Sequence, residues 1–338
     1  MTAANELSRS LTIWAALLLL AGCGRASRLS QPAMQSVAEP RPIVIAHRGA
    51  SGHRPEHTLE AYALAIAMGA DYIEPDLVLT RDGVLIARHE NEIGSTTDVA
   101  TRYPDRRTTK VIDGQSVTGW FTEDFTWDEL RAVRAKERLP FRSHSYDGQF
   151  AIATFAEVLA LADSAGRRRG HVVGVYPETK RPTYFRGIGL PLEDRLLATL
   201  RARDLDRRDA SVFIQSFEPA NLRMLRGQTQ VRLVQLVADA SQVTPNALRE
   251  IARYADGVGV NTRLIVPAAP TATATSVIKD AHAAGLLVHV WTLRPERQYL
   301  AERYKGDALA EVKELAALGV DGMFGDYPDQ LLAGLGRR

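Results

Sequence analysis

Cysteine is almost absent from this chain. Its 338 residues include a single one, Cys23. An intramolecular disulfide needs two cysteines, so none can form. A thiolate zinc site and, beyond residue 23, a thiol nucleophile are excluded for the same reason. Any metal ion bound by the rest of the chain must therefore take oxygen or nitrogen ligands.

An excess of one charge is also lacking. The 42 Lys and Arg residues are balanced by 40 Asp and Glu residues, and aromatic residues make up only 7% of the chain. No long basic stripe with interleaved aromatics occurs, so we expect no nucleic-acid partner. The short clusters at 106–107 and 167–169 are interpreted as solvated surface. The 45% apolar content is enough for the core of one large domain or two ordinary ones.

Only one long apolar run is present, from Leu11 to Ala21, and it is too short to span a membrane comfortably in the mature protein. It ends in Leu20-Ala21-Gly22-Cys23, which resembles the lipobox of bacterial lipoproteins. That resemblance implies that residues 1–22 are a signal peptide and that Cys23 becomes a lipid-modified N-terminus. The protein would then be exported and anchored in a membrane, facing the periplasm or the cell surface. An ordinary secretory signal with a cysteine nearby is the alternative.

Residues 23–42 are polar and small, contain several prolines and lack an apolar period, which is typical of a flexible tether. From residue 43 short apolar runs alternate with helical segments. Strands are predicted at 43–46, 71–79, 171–176, 211–215, 231–237, 257–260, 286–291 and 320–324. Helices are predicted at 58–68, 192–202, 219–225, 246–254, 275–284 and 308–318, among others.

Eight strands alternating with helices predict an α/β fold, a (β/α)₈ TIM barrel, over residues 43–333. A glycine-rich dinucleotide-binding turn is missing after the first strand, which disfavours a doubly wound sheet. The alternation breaks at 91–150, where one helical segment is predicted at 127–136. A structureless loop of this length is unusual, so we predict a small inserted subdomain that caps one end of the barrel. Trp120 and Trp127 would pack its interior.

The second predicted strand carries an acidic pair, Glu74 and Asp76. Asp82-Gly83 is typical of a two-residue hairpin loop, which would place His89 opposite Asp76 on the returning strand. Side chains alternate along a strand, so the three groups would share one face. Two neighbouring carboxylates repel each other unless a cation lies between them, which favours a hard-metal site. A solvated strand end with an exposed acidic pair is the alternative.

Active sites of such barrels lie at the carboxyl ends of the strands. Polar residues follow four further predicted strands there, namely His47-Arg48-Gly49, Tyr176-Pro177-Glu178-Thr179-Lys180, Gln215-Ser216-Phe217 and Trp291-Thr292. Three carboxylates can hold Ca²⁺ or Mg²⁺, and Arg and Lys can stabilise negative charge on phosphoryl oxygens. Two imidazoles can divide the work of general acid and base. This combination favours cleavage of a phosphate ester.

The motifs occur in the order and approximate spacing of a known family. They are His47-Arg48-Gly49, Pro55-Glu56-His57-Thr58, Glu74-Pro75-Asp76, His89-Glu90, Tyr176-Pro177-Glu178-Thr179-Lys180 and Gln215-Ser216-Phe217. Over roughly residues 43–330 the sequence resembles the glycerophosphodiester phosphodiesterase family. It looks most similar to the secreted bacterial branch, which carries an insertion after the second histidine.

This resemblance implies a barrel that hydrolyses deacylated phospholipids, such as glycerophosphocholine, to glycerol 3-phosphate and an alcohol. It implies a divalent cation, commonly Ca²⁺ with Mg²⁺ as the alternative, held by Glu74, Asp76 and Glu178. It makes His47 and His89 the catalytic pair. Which histidine is the acid stays open, as does the choice between direct attack by water and a cyclic phosphate intermediate.

By the same resemblance Arg48 and Lys180 would bind phosphate, and Gln215 and Trp291 would contact substrate. Glu56 would orient His47 or Arg48 from behind the site.

Many members have Asp directly after the second histidine, where this chain has Glu90, so the preferred head group stays open. The oligomeric state is open as well.

The remaining candidates receive structural interpretations. His57 lies at a helix start, Asp326 would cap a turn, and the other histidines, His53, His144, His171, His282 and His289, are taken as structural. Two rival functions remain. A lysophospholipase D or cyclising phospholipase could use the same barrel, and a surface lipoprotein could bind glycerophosphodiesters or a host protein without turnover.

Overall fold

The computed structural model describes residues 41–337. The strands are β1 (Ile43–His47), β2 (Tyr72–Glu74), β3 (Asp76–Leu79), β4 (Leu85–Ala87), β5 (Thr108–Ile112), β6 (Gln115–Gly119), β7 (Gly174–Val175), β8 (Glu178–Thr179), β9 (Phe213–Ser216), β10 (Arg232–Val237), β11 (Gly257–Asn261), β12 (Leu287–Leu293) and β13 (Gly322–Gly325). The helices are α1 (Leu59–Met68), α2 (Val99–Arg102), α3 (Trp127–Leu130), α4 (Phe155–Arg169), α5 (Pro182–Gly187), α6 (Leu192–Arg201), α7 (Pro219–Arg226), α8 (Pro245–Ile251), α9 (Thr262–Ile265), α10 (Val277–Ala283), α11 (Ala308–Ala317) and α12 (Pro328–Gly334). The predicted signal peptide, Cys23 and nearly all of the predicted tether lie outside the described residues.

Parallel strands close into a barrel. β2 and β3 are two halves of one strand interrupted at Pro75, and β7 and β8 are halves of another interrupted at 176–177. β1 pairs with β2, β2 with β7, and β8 with β9; from β9 each strand pairs with the next, and β13 pairs with β1. Counting each split strand once, the ring has the eight parallel strands that the sequence predicts. Pro75 fits the interruption because proline has no N–H to donate.

Alternate residues of each strand point into the barrel. On β1, Val44 and Ala46 belong to the apolar core outside the strands, whereas Ile45 faces the lumen. The lower lumen is filled by a separate buried cluster, which consists of Ile45, Tyr176, Phe213, Val234 and Phe324. Two residues further along four of these strands stand His47, Glu178, Gln215 and Asp326. The lumen therefore changes from apolar to polar towards the carboxyl ends of the strands.

The helix boundaries follow from capping residues. α1 begins where Thr58 accepts a hydrogen bond from the backbone N–H of Ala61, and it ends at Gly69 with φ of 108°. The predictions do not include α4, which at 15 residues is the longest helix described. The signal for α4 is the capping box that Thr154 forms with Glu157.

The hairpin between β3 and β4 differs from its prediction by one residue. Leu79 pairs with Leu85 and Leu77 with Ala87, so the backbone N–H of Arg88, rather than His89, reaches the carbonyl of Asp76. The expected opposition of His89 and Asp76 is therefore wrong. His89 lies beyond the ladder, in the segment that follows β4.

A side-chain hydrogen-bond pattern explains the longer loop. Thr80 Oγ1 donates to Asp82 Oδ1 at 2.6 Å and accepts from the backbone N–H of Val84 at 2.9 Å. Gly83 adopts a φ of 78°, which suits the last position of a three-residue loop. The preference of Thr80 for these local partners thus outweighs the two-residue turn that Asp82-Gly83 predicts.

Residues 91–150 form an insertion built from α2, the β5–β6 hairpin and α3. Trp120 and Trp127 pack against the apolar core outside the strands. The predicted helix at 127–136 begins at Trp127 but ends at Leu130, because the chain beyond it makes isolated bridges from Arg134 and Ala135 to extended neighbours. Tertiary pairing overrides helix propensity here.

Within residues 41–337 no helix is both long enough and apolar enough to cross a membrane.

Candidate active site

Three carboxylates meet where two neighbouring barrel strands are interrupted: Glu74 ends β2, Asp76 begins β3 and Glu178 begins β8. Glu74, Asp76 and Glu178 each offer an oxygen, and these oxygens lie within 4.8 Å of one another. Asp76 and Glu178 are register partners in β3 and β8, and all three side chains are buried. The structure therefore brings together the three predicted metal ligands.

Burial and mutual repulsion make this cluster electrostatically costly. They raise the pKa of Glu74 well above its usual value, and they raise the pKa of Glu178 to about 8 although Lys180 opposes the shift. Burial acts in the same direction on Asp76, but Lys180, His57 and Arg48 hold its pKa well below its usual value. A bound cation would relieve this repulsion.

The cluster also contains a buried carboxylate oxygen that a cation could bind. Among residues 41–337, no group donates a hydrogen bond to the buried Oδ1 of Asp76. A buried carboxylate oxygen without a donor is costly unless a cation binds it. Three carboxylates that converge from two barrel strands suit a hard divalent ion that prefers oxygen ligands.

Two cationic side chains lie against the carboxylates. The Arg48 backbone N–H donates to Glu74 Oε2 at 2.8 Å, and its side-chain Nε lies 3.3 Å from Asp76 Oδ2. Arg48 has a φ of 59°, a strained conformation of the kind that clusters at active sites. Lys180 Nζ donates to Glu178 Oε1 at 2.8 Å. Both cations line the cavity described next.

A cavity of about 350 Å³ opens beside the carboxylates. Its lining includes most of the predicted site residues, namely His47, Arg48, Glu74, His89, Glu178, Lys180, Gln215 and Trp291. The volume is that of a small-molecule site. Gln215 Nε2 donates to Glu74 Oε1 at 3.0 Å, and the ring of Trp291 meets Phe217 edge to face, with centroids 5.6 Å apart.

The two predicted catalytic histidines both line this cavity, although His89 does so without the predicted register. His47 Nδ1 lies 2.6 Å from Asp326 Oδ1. Burial lowers the pKa of His47 to about 3, and Arg48 adds to this effect against the opposing charge of Asp326. Burial, Arg48 and Lys180 also lower the pKa of His89. Both imidazoles are therefore neutral near pH 7 and able to accept a proton.

Glu56 binds the side chain of Arg48, as expected of a group that orients Arg48. Its Oε2 accepts from Arg48 Nη1 at 2.9 Å and from Arg138 Nε at 3.1 Å. Of the two partners considered for Glu56 in the sequence, the structure gives it Arg48 and not His47.

Two residues with structural interpretations prove to contact the site. His57 is fully buried, and its Nε2 lies 2.8 Å from Asp76 Oδ2 while its Nδ1 lies 2.8 Å from Tyr62 Oη. Asp326 does not cap a turn but binds His47. The signal that could have found Asp326 is its position two residues after the lumen-facing Phe324, at the carboxyl end of β13.

The closed parallel barrel and the polar cavity at the carboxyl ends of its strands define the class: a (β/α)₈ protein with a site in the position that barrel enzymes use. Comparison with known proteins narrows this class. The sequence profile of the glycerophosphoryl diester phosphodiesterase family matches residues 47–330. The chain belongs to this family.

Two curated relatives illustrate the similarity. A glycerophosphodiester phosphodiesterase of Arabidopsis thaliana is 35% identical over 93% of this chain and 93% of its own length. One of Haemophilus influenzae is 29% identical over 92% of this chain and 93% of its own.

Solved structures agree on the fold. A structure from Silicibacter pomeroyi, described as a glycerophosphoryl diester phosphodiesterase, matches with a TM-score of 0.65 at 22% identity and covers 88% of this chain and 94% of its own. A phosphodiesterase of Oleispira antarctica, solved in complex with the product sn-glycerol-3-phosphate, matches with a TM-score of 0.64 at 19% identity over 88% and 97%.

Proposed function

We propose that this protein hydrolyses glycerophosphodiesters to glycerol 3-phosphate and an alcohol with the help of a divalent cation. The observation that carries the proposal is the buried cluster of Glu74, Asp76 and Glu178, which lies beside two cationic side chains and next to a cavity lined by two neutral imidazoles. The names of the curated relatives and the product bound to the Oleispira antarctica structure support this substrate class.

Glu74, Asp76 and Glu178 would hold the cation. We propose Ca²⁺, because a site formed by carboxylates on two separate strands suits its flexible coordination better than the strict octahedron of Mg²⁺. When bound, the ion supplies positive charge to the phosphate oxygens.

Arg48 and Lys180 would bind the phosphate, since both line the cavity beside the carboxylates. Each is pre-positioned by a carboxylate, since Glu56 accepts from the Arg48 side chain and Glu178 accepts from Lys180. Fixed cations of this kind stabilise a developing negative charge without reorganising during the reaction. Gln215 and Trp291, which line the same cavity, would contact the rest of the substrate.

His47 and His89 would carry the proton transfers. One imidazole would accept the proton of the attacking oxygen. The other would first take up a proton from solvent, which the negative charge of the bound phosphodiester favours, and would then give it to the leaving alkoxide. Asp326 accepts from His47 Nδ1, so the proton of neutral His47 resides on Nδ1 and its Nε2 is the atom that takes up a proton. His89 has Glu90 beside its Nδ1 at 3.1 Å.

The lining of the cavity favours this function over its rivals. A lysophospholipase D or a cyclising phospholipase acting on lipids needs an apolar channel for an acyl chain, whereas eleven of the eighteen lining residues carry charged, imidazole or amide side chains. A binding protein without turnover would have no need of both histidines and all three carboxylates, which are present together.

The test is release of glycerol 3-phosphate from glycerophosphocholine, measured with and without a chelator and after Ca²⁺ is restored. We expect turnover that the chelator abolishes and Ca²⁺ restores, and no turnover by His47→Ala. His53→Ala is the matched control, because His53 lies near the same barrel end but is paired with Asp329 outside the cavity. Turnover that is insensitive to chelator would remove the cation from the mechanism. A protein inactive on every glycerophosphodiester would favour a binding function.

We propose further that the protein is exported and lipid-anchored through Cys23. The support is the apolar run that ends in Leu20-Ala21-Gly22-Cys23. Mass spectrometry of the mature N-terminus should find a diacylated Cys23, and Cys23→Ser should move the protein from the membrane fraction to the soluble one. An unmodified N-terminus elsewhere would indicate an ordinary secretory signal.

A further inference from the structure

Asp326 is the most heavily bonded carboxylate beside the cavity. It follows β13 and is 2% exposed. Its Oδ1 accepts from His47 Nδ1 at 2.6 Å, and its Oδ2 accepts from Arg142 Nη2 and Arg294 Nε, both at 2.6 Å. Three donors therefore fix the carboxylate in one orientation, and that orientation fixes the plane and the tautomer of the His47 ring.

Of the three residues that donate to Asp326, Arg142 is the one that comes from the insertion and not from the end of a barrel strand. Its side chain is nevertheless only 5% exposed. Besides Asp326 it binds Glu296 Oε1 through Nε at 2.7 Å and the carbonyl of Ser51 through Nη1 at 3.2 Å. One guanidinium thus joins the segments that follow three barrel strands, β1, β12 and β13.

The contact with Ser51 leads back to the same histidine. Ser51 Oγ donates to the backbone carbonyl of His47 at 2.8 Å. Arg142 therefore supports His47 twice, through Asp326 at the imidazole and through Ser51 at the backbone. A bidentate, planar guanidinium can hold several acceptors at fixed angles, which a single ammonium cannot.

We propose that Arg142 is a positioning residue for His47: the insertion orients the imidazole by holding Asp326, and it thereby contributes to the acid–base machinery. This inference rests on the proposed function only in assigning His47 to proton transfer. The geometric part, that Arg142 sets the state of the His47 ring, stands apart from the reaction.

The kinetic test compares Arg142→Gln with Arg142→Lys, and with Arg131→Gln as a matched control. Arg131 lies in the same insertion, but its side chain is exposed and forms an ion pair with Asp128 at the surface. We expect Arg142→Gln to lower kcat about 10- to 100-fold, since a small misplacement of a catalytic group has effects of this size. KM should change less than about twofold, because Arg142 does not line the cavity. Arg142→Lys should restore part of kcat, and Arg131→Gln should match wild type.

A double-mutant cycle tests the route of the effect. If Arg142 acts through Asp326, the double variant Arg142→Gln/Asp326→Asn should be little slower than Asp326→Asn alone. Effects that multiply, a change in KM alone, or an unaltered kcat in a folded Arg142→Gln would each overturn the proposal.

A spectroscopic test separates this inference from the proposed function. In protein labelled with ¹⁵N-histidine, the His47 signals are those that disappear in His47→Gln. We expect a strongly hydrogen-bonded Nδ1 proton in wild type and its loss or exchange broadening in Arg142→Gln. If the wild type hydrolyses no glycerophosphodiester yet this signal responds to Arg142→Gln, the proposed function fails and the positioning by Arg142 stands. A signal unaffected by Arg142→Gln would refute the positioning whatever the activity.

Discussion

The two halves of the barrel lumen are built by the same strands and have opposite chemistry. Phe213 on β9 closes the lower half, and Gln215 two residues later binds a carboxylate in the upper half. β1 makes the same change from Ile45 to His47. Both residues of each pair point inward because strand side chains alternate. The alternation of side chains thus gives the same strands an apolar cluster in the lower half and a polar site in the upper half. This cluster, here called the plug, consists of Ile45, Tyr176, Phe213, Val234 and Phe324, and it packs beneath the site.

Two buried histidines make the comparison sharper. His289 on β12 lies in the lower half, where its Nδ1 is 2.7 Å from the hydroxyl of Tyr176. His47 lies in the upper half against a carboxylate held by two arginines. Burial lowers the pKa of both imidazoles, so burial alone does not mark a functional histidine. The charged partner and the cavity distinguish His47.

The largest effect should follow from removing a carboxylate of the upper half. Glu178→Gln takes a charged oxygen from the proposed cation site, and we expect kcat/KM to fall about 10³-fold, since several kcal/mol of charge stabilisation depend on the ion. Steady-state assays across Ca²⁺ concentrations would measure the loss. Glu250→Gln, on exposed surface, is the control. Activity near wild type in Glu178→Gln would remove this residue from the site.

Disrupting the plug should affect stability instead. Phe213→Ala should lower the free energy of unfolding by about 3–5 kcal/mol, the usual result of emptying a buried aromatic site. Urea unfolding measures this, while kcat of the folded fraction should stay close to wild type. Phe217→Ala, four residues along and 42% exposed at the cavity, should show the reverse: a stability change near 0.5 kcal/mol, as is usual at the surface, and a higher KM. Equal effects in both variants would mean that the halves are not separable.

The imidazole behind the acidic cluster should tune cation binding. His57→Asn removes the hydrogen bond to Asp76 Oδ2, and we expect Ca²⁺ affinity to fall about 10- to 100-fold, as happens when a ligand loses its supporting partner. Isothermal titration calorimetry would measure it, with His289→Gln as the matched buried control. An unchanged affinity would return His57 to a purely structural role.

The smallest effect concerns His289 and pH. Burial lowers the pKa of His289 from 6.5 to about 4, so between these values the unfolded chain binds the extra proton. Its contribution to stability is therefore complete above pH 6.5 and is lost as the pH falls towards 4. Between pH 7 and pH 5 the loss should be about 2 kcal/mol. His289→Gln should remove that part of the pH dependence in urea unfolding. A variant as sensitive to pH as wild type would contradict this.

The features that could be predicted from the sequence are those that depend on local residue patterns and on the order of the strands. The eight strands and the convergence of Glu74, Asp76 and Glu178 follow from alternating polarity and from the common edge that parallel strands share. The hairpin register was wrong because Thr80 selects a longer loop through bonds that no turn dipeptide reveals. Asp326 was missed because its partner is distant in sequence, 279 positions away at His47. His57 was missed for another reason: its contact with Asp76 forms only when the segment before α1 packs against the strand that carries the acidic pair.

The insertion shows the same limit. Its existence could be predicted from the broken rhythm, but its irregular backbone gives no period from which to place Arg142 against Asp326. That contact exists only after the barrel has brought the ends of β1, β12 and β13 together.

The contacts of Arg142 with Ser51, Glu296 and Asp326 have a practical consequence for any redesign of the insertion. Shortening residues 91–150 would withdraw the Arg142 guanidinium from between Asp326 and Glu296 and leave Arg294 as the one arginine still bound to Asp326 among the described residues. A shortened or grafted insertion must therefore return a guanidinium to that position, because without one the His47 imidazole would lose part of its alignment.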